Sequence, residues 1–120
     1  LFVAIANRNG EMIYSLLRSG ANPNVFDAEM TTPIYQAVLS NKPEIVALLL
    51  DAGADPRLKE FGPDAFQLAL GGESRSMIEV FLRRGIYPDQ TEIDSINDPS
   101  LRDFITSSMQ DSMVHKNGEK

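Results

Sequence analysis

Apolar residues in the middle of the chain recur at the spacing of helices. Ile34, Ala37 and Val38 lie three and four positions apart, which places them on one face of a short helix. The following stretch, IVALLL at residues 45–50, is apolar around most of a second helix. A helix of that kind cannot face water on its own. The pattern therefore predicts two short helices that pack against each other and against neighbours on both sides.

Prolines, glycines and small polar residues mark the ends of these helices. Thr32 is a good N-cap and Pro33 a good first residue, because proline lacks only an N–H group that would be unpaired there. Asn41-Lys42-Pro43 separates the two helices. Gly53 is expected to end the second helix in the left-handed conformation that glycine adopts without strain. Residues 32–53 are thus predicted to form a helix–turn–helix unit.

The same pattern recurs along the chain at a nearly constant interval. The sequence GANP, which starts at Gly20, returns as GADP at Gly53, and the same interval relates Ile13 to Val46. A weaker copy follows at almost the same interval, where Leu49 corresponds to Phe81. A fixed period of roughly 33 residues predicts a stacked array of helical repeats.

The middle copy resembles the ankyrin repeat. It carries TPIY at 32–35, EIV at 44–46, LLL at 48–50 and GAD at 53–55 in the register of that family. The resemblance is strong over residues 1–90 and weaker over residues 91–109. It implies an all-α solenoid of helix–turn–helix repeats, which are connected by short β-turn fingers.

The repeat period also divides the chain into segments. Residues 1–109 are predicted to form one ankyrin repeat domain: a partial repeat at 1–24, repeats at 25–57 and 58–88, and a degenerate repeat at 89–109 that caps the C-terminal end. The chain begins inside the first helix of a repeat, which indicates a fragment of a larger protein.

Local signals complete the prediction for the C-terminal half. Asp64 with Gln67 has the spacing of a capping box at the start of a helix, which Gly71-Gly72 is expected to end. Thr91 with Asp94 is expected to open a short helix in the cap, and Asp98-Pro99 a further one. Residues 110–120 are polar without periodicity, which predicts a disordered tail.

Composition excludes several classes of function. The 120 residues contain no Cys, so disulfides, thiolate chemistry and Cys-based zinc sites are excluded. No apolar run approaches the roughly 18 residues that would indicate a membrane span. A net charge of −6 disfavours a general nucleic-acid binder, which needs Lys and Arg against phosphates. The simplest interpretation is an intracellular protein, either cytoplasmic or nuclear.

The sequence predicts no enzyme, and no metal or cofactor. His115 is the only histidine and lies in the predicted tail. Gly71-Gly72 is a lone pair of glycines and lacks the pattern of a phosphate-binding loop. The acidic residues 89, 92, 94 and 98 lack the glycine and terminal glutamate of a calcium loop, and we expect them to be a solvated surface of the cap.

The resemblance implies a binding surface instead. In the ankyrin family the fingers and the first helix of each repeat line a concave groove to which partners commonly bind. The residues that occupy this face by position are Phe26, Glu29, Met30, Gln36, Leu39, Ser40, Arg57, Lys59 and Phe61.

A structural role stays open for each of these residues. Phe26 and Met30 would then pack on the neighbouring finger, and Arg57 and Lys59 would be solvated charges. Met30 also stands where the family usually has a glycine, as Gly62 does in the next finger. The first turn is therefore expected to be less tight than the second.

Three functions are compatible with this sequence. The first is a protein-interaction module that binds another protein or peptide through the concave face. The second is a regulatory or targeting region of a larger enzyme, channel or ubiquitin-ligase adaptor. The third is a structural element that self-associates through its N-terminal face, because the first repeat leaves one stacking face uncapped.

Overall fold

The computed structural model describes residues 1–118, with side chains as far as residue 110. In this part of the chain there are eight α-helices: α1 Phe2–Ala6, α2 Gly10–Arg18, α3 Pro33–Leu39, α4 Pro43–Asp51, α5 Ala65–Gly72, α6 Arg75–Leu82, α7 Gln90–Asp94 and α8 Pro99–Gly118. The first six form three consecutive pairs. The prediction of an all-α repeat array is confirmed.

The pairs stack into two parallel layers. Helices α1, α3 and α5 pack side by side as inner helices, and α2, α4 and α6 do the same as outer helices. Helix α8 packs on α6 and covers the C-terminal end of the stack. Each repeat places a fully buried residue at the same position of its outer helix, namely Ile13, Val46 and Ile78. The stacking therefore explains why the sequence repeats its apolar positions.

The helix starts predicted for the middle of the chain are confirmed. The Thr32 hydroxyl accepts a hydrogen bond from the backbone N–H of Tyr35 at 3.3 Å, and Pro33 follows as the first helical residue. Asp64 and Gln67 form the predicted capping box, in which each side chain accepts from the other residue's backbone N–H. These caps orient α3 and α5, the two inner helices that follow the fingers.

The start of α7 differs from the prediction. Its N-cap is Asp89, which accepts from the N–H of Glu92 at 2.8 Å, while the Glu92 carboxylate accepts from the N–H of Asp89 at 3.0 Å. The predicted start at Thr91 with Asp94 is wrong, because the reciprocal capping box lies two residues earlier. Helix α8 begins at Pro99 as expected.

Helix α8 also continues beyond the boundary that the sequence indicated. A tail was predicted from residue 110, whereas the helix is described as far as Gly118. Residues 119 and 120 of the predicted tail lie outside the described residues.

The inner helices end in a left-handed residue. Arg8, Asn41 and Glu73 have φ values of 55°, 54° and 51° and occupy equivalent positions after α1, α3 and α5. Helix α5 includes Gly71 and Gly72 as its last two residues, and its C-cap is Glu73. The Glu73 carboxylate accepts hydrogen bonds from the backbone N–H groups of Asn97 and Asp98 at 3.0 and 3.2 Å. This side chain connects the third repeat to the segment that leads into α8.

Candidate functional site

Finger 1, residues 25–31, is held by one carboxylate. Asp27 accepts hydrogen bonds from the backbone N–H groups of Glu29 and Thr31 and from the Thr31 hydroxyl, each at 2.9 Å. The backbone N–H of Asp27 donates to the carbonyl of Thr31 at 2.9 Å. The hydrogen bond from the Thr31 N–H is the largest cause that holds the pKa of Asp27 below its ordinary value. Finger 1 is therefore a closed turn with an ionised carboxylate inside it.

The tip of finger 1 contains a strained residue. Met30 has a φ of 63°, close to the 69° of Gly62 at the equivalent position of finger 2, residues 57–62. A side chain in this left-handed region is crowded against the backbone, whereas glycine is not. The expectation that Met30 replaces a turn glycine is thus supported by the geometry, and the Met30 side chain is 39% exposed.

In finger 2, Arg57 connects the finger to α7. Its guanidinium donates to the two oxygens of Glu92 at 2.7 and 2.9 Å and to Asp64 at 3.1 Å. It also lies 4.9 Å from the centre of the Phe66 ring, within the range of a cation–π interaction. The expectation that Arg57 is a solvated charge is corrected by these contacts.

The prediction for Glu92 is corrected in the same way. The sequence assigned it to a solvated acidic surface, but the residue is 9% exposed and pairs with Arg57, 35 positions earlier. The hydrogen bonds from Arg57 lower the pKa of Glu92 to about 2 and raise the pKa of Arg57. The signal that could have identified Glu92 is its spacing of three from Asp89, which is that of a capping box.

Asn24 makes the corresponding connection one repeat earlier. It precedes Arg57 by one repeat period, and its side-chain amide donates to the carbonyl of Gly53 at 3.1 Å. Its side-chain oxygen accepts from the N–H of Asp55 at 2.7 Å. Sequence reasoning missed this residue, although the repeat period aligns it with Arg57. Successive repeats are thus tied together by a side chain at the same repeat position.

The structure groups several of the predicted binding residues around two shallow cavities. The first, the finger pocket, has a volume of about 60 Å³ and lies between the fingers. It is lined by Glu29, Met30, Tyr35, Leu58, Lys59 and Phe61, together with Thr31, Thr32 and Pro63. Four of the nine predicted residues therefore meet here.

The second cavity, the helix pocket, has a volume of about 230 Å³ and lies against α1 and α3. Its lining includes Phe2, Asp27, Glu29, Gln36 and Ser40. Two further residues of the predicted set, Gln36 and Ser40, are therefore placed here, and Glu29 lines both cavities.

The remaining predicted residues lie elsewhere. Leu39 is 56% exposed and borders a third cavity of about 300 Å³, between the C-terminal ends of α3 and α5. Phe26 is half-buried in finger 1, and Arg57 is engaged by two carboxylates. The most exposed aromatic side chain of the predicted set is Phe61, at 74%.

Two features of the described residues bear on other kinds of site. Among them, no group of three or more His, Cys, Asp or Glu side chains is placed to hold a metal ion. None of the helices in the described part is long and apolar enough to cross a membrane.

The repeat architecture and its fingers define the class of protein. The family model described as ankyrin repeats, in three copies, matches residues 1–92. The chain belongs to the ankyrin-repeat family. Ankyrin repeats generally act as protein-interaction modules and are typically non-catalytic.

Three curated relatives show how this array occurs elsewhere. Human 2-5A-dependent ribonuclease is 41% identical over 71 residues, which are 58% of this chain and 10% of that protein. The Bos taurus inactive serine/threonine-protein kinase TEX14 is 33% identical over 87 residues, 70% of this chain and 6% of that protein. Glycerophosphocholine phosphodiesterase gde1 of Schizosaccharomyces pombe is 40% identical over 50 residues, 42% of this chain and 4% of that protein. In each of these three relatives the matched segment is thus a small part of a much longer protein.

Proposed function

We propose that this ankyrin array binds another polypeptide through the finger and inner-helix surface. The observation that carries the proposal is the exposure of Phe61 beside Met30 across the finger pocket. Both are large apolar side chains, 74% and 39% exposed, on turns that hydrogen bonds hold in place. Aromatic and Met side chains are enriched where proteins bind one another.

The rigidity of the fingers supports the same proposal. Asp27 closes finger 1, and the Lys59 ammonium donates to the carbonyl of Gly62 at 2.8 Å in finger 2. Arg57 ties finger 2 to α7, and Asn24, the residue before finger 1, ties its repeat to the next one. A surface that is ordered before binding loses less conformational entropy when a partner docks.

Affinity capture with matched variants tests this proposal. The wild-type chain, Phe61→Ala and Tyr14→Ala are immobilised and exposed to the same native extract. Tyr14 is the control because it is also an exposed aromatic, at 51%, but belongs to outer helix α2. We expect a protein that is retained by the wild type and by Tyr14→Ala and lost with Phe61→Ala.

The opposite result would assign the interface to a different surface of the array. A partner lost with Tyr14→Ala but retained by Phe61→Ala would place binding on the outer helices. Circular dichroism of both variants should match the wild type, because each removes an exposed side chain.

We further propose that the array serves as a regulatory or targeting region of a larger protein. The support is that its curated relatives, whose names describe a ribonuclease, a phosphodiesterase and an inactive kinase, are each far longer than the segment that matches. An antibody against the chain should detect a protein far above 13.3 kDa in native extract. A single band at about the 13.3 kDa of the chain itself would contradict the proposal.

A third candidate function is self-association through the N-terminal face. Met12 is 46% exposed, whereas the residues at the same repeat position, Ile45 and Met77, are each 2% exposed. In the described structure α4 packs between α2 and α6, and α6 packs between α4 and α8, whereas α2 has an outer-helix neighbour on one side. Burial of Met12 between two copies of the chain would remove an apolar side chain from water, and this burial favours association.

Light scattering over a range of concentrations tests this candidate. Self-association predicts a mass that rises with concentration for the wild type, and a constant monomer mass for Met12→Lys. A wild-type chain that stays monomeric at high concentration would exclude it.

A further inference from the structure

We propose that the finger pocket docks a basic polypeptide segment, in which a Lys or Arg neighbours a large apolar side chain. This inference rests on the proposed interaction function and names the class of partner. Three features carry it: the distribution of charge between the two layers, the position of Glu29, and the ion pairs that engage Arg57 in finger 2.

The net charge of the chain belongs to one layer of the repeat. The finger and inner-helix layer comprises residues 1–6, 21–39, 54–72 and 86–94. It contains eight Asp and Glu residues and two bases, Arg57 and Lys59, which gives a formal charge of −6. The rest of the chain contains nine acids and nine bases and is neutral. The charge of the whole chain is therefore concentrated where the pockets lie.

One of the two bases of this layer is paired with carboxylates, and the other, Lys59, keeps its positive charge beside the finger pocket. The Arg57 guanidinium is neutralised by Glu92 and Asp64, and the Lys59 ammonium donates to the carbonyl of Gly62. Glu29 and Glu60 lie exposed on the fingers. The layer keeps a net negative charge with both bases counted, and a net charge across a binding face attracts a partner of the opposite sign and speeds its association.

Glu29 places a negative charge next to the apolar surface. It lines the finger pocket together with Met30 and Phe61, and it also lines the helix pocket together with Phe2 and Asp27. A partner whose apolar side chain contacts Phe61 would bring the following side chain towards Glu29. A Lys or Arg at that point would face the exposed Glu29 carboxylate and lie near the Phe2 ring, which suits a cation.

A displayed library of random short peptides tests the proposal. The library is selected in parallel on the wild-type chain, on Glu29→Gln and on Glu44→Gln. Glu44 is the matched control, because it is an exposed glutamate of the outer helix α4 and the change in net charge is identical. We expect the wild type and Glu44→Gln to enrich peptides in which Lys or Arg lies beside Leu, Met or an aromatic residue.

The affinity of one selected peptide then gives the size of the effect. We expect Glu29→Gln to weaken its binding about fivefold, as for one interfacial ion pair, and Glu44→Gln to change it less than about twofold. The wild-type affinity should fall as the salt concentration rises, because salt screens exposed charges.

The outcomes separate this inference from the proposed function. Selection of acidic or uncharged apolar peptides that Phe61→Ala no longer binds would overturn the basic partner while leaving the interaction surface in place. Equal weakening by Glu29→Gln and Glu44→Gln would reduce the effect to net charge and overturn the assignment to the finger pocket. Failure to enrich any peptide would count against both.

Discussion

At the scale of single residues, side chains at one repeat position connect neighbouring repeats. Asn24 does so with two hydrogen bonds, and Arg57 does so with an ion pair to Glu92. The Arg57 contacts are charge-assisted and two of them converge on one carboxylate, the geometry in which such bonds are strongest. The same position therefore holds neighbouring repeats together with different chemistry.

Removal of the Glu92 charge should destabilise the fold. We expect Glu92→Gln to lower the free energy of unfolding by about 2 kcal/mol, because Arg57 loses its charged acceptor. Urea denaturation at neutral pH measures this change. Asp94→Asn is the control, since Asp94 lies on the same helix but is exposed, and its effect should stay within about 0.5 kcal/mol.

The same ion pair predicts a dependence on pH. In the folded chain the pKa of Glu92 is lowered to about 2 from an ordinary value of 4.5. Its contribution is therefore fully present above pH 4.5 and is lost as the pH falls towards 2. Over that window the stability of the wild type should fall more steeply than that of Glu92→Gln. Parallel curves would show that the pair does not stabilise the fold.

At the scale of elements, the turns rather than the helices contain the strained backbone. Left-handed residues end each inner helix, and Met30 and Gly62 take the same conformation in the two fingers. Because a non-glycine residue in this region costs about 1 kcal/mol or more, finger 1 holds strain that finger 2 avoids. The residue under strain is therefore Met30, whose apolar side chain is exposed.

A reciprocal pair of substitutions measures that strain. Met30→Gly should raise the free energy of unfolding by about 1 kcal/mol, and Gly62→Ala should lower it by about the same amount. A Cβ added at Gly62 meets no atom within 4 Å, so the loss would come from the backbone conformation alone. Thermal denaturation compares the variants. A destabilised Met30→Gly would show that the packing of Met30 outweighs its strain.

At the scale of the whole molecule, each repeat contacts its neighbours and stability is shared along the stack. Helix α4 packs between α2 and α6, whereas α2 has such a neighbour on one side. The Asp51–Arg84 ion pair, at 2.8 Å, adds a further link between the second and third repeats. The N-terminal repeat therefore has fewer contacts of its own to hold it in place.

Hydrogen exchange should reveal this gradient. We expect the backbone amides of α2 to exchange faster than those of α4, because the first repeat can open without disturbing the rest. Mass spectrometry of peptides from the two helices measures the difference. Equal protection of α2 and α4 would indicate that the array opens as one unit.

The candidate binding surface was predicted less completely than the fold. Phe61, Met30 and Glu29 were placed on one face from the repeat register, and the structure brings them to one pocket. Arg57 was placed on the same face, with a solvated charge as the alternative, because its partner lies 35 positions away and shares no local pattern with it. Leu39 borders a separate cavity at the other end of the inner helices.

The sequence by itself determined the repeat, because stacking requires the same apolar positions, caps and turn glycines in every copy. Those are local signals with a fixed period, and residues such as Val46 and Gly53 satisfy them without reference to distant parts of the chain. The tertiary structure decided which charges are paired and which are free. Electrostatic contacts depend on distance in space, so the engagement of Arg57 and the exposure of Glu29 appear only when the fingers and α7 are folded side by side.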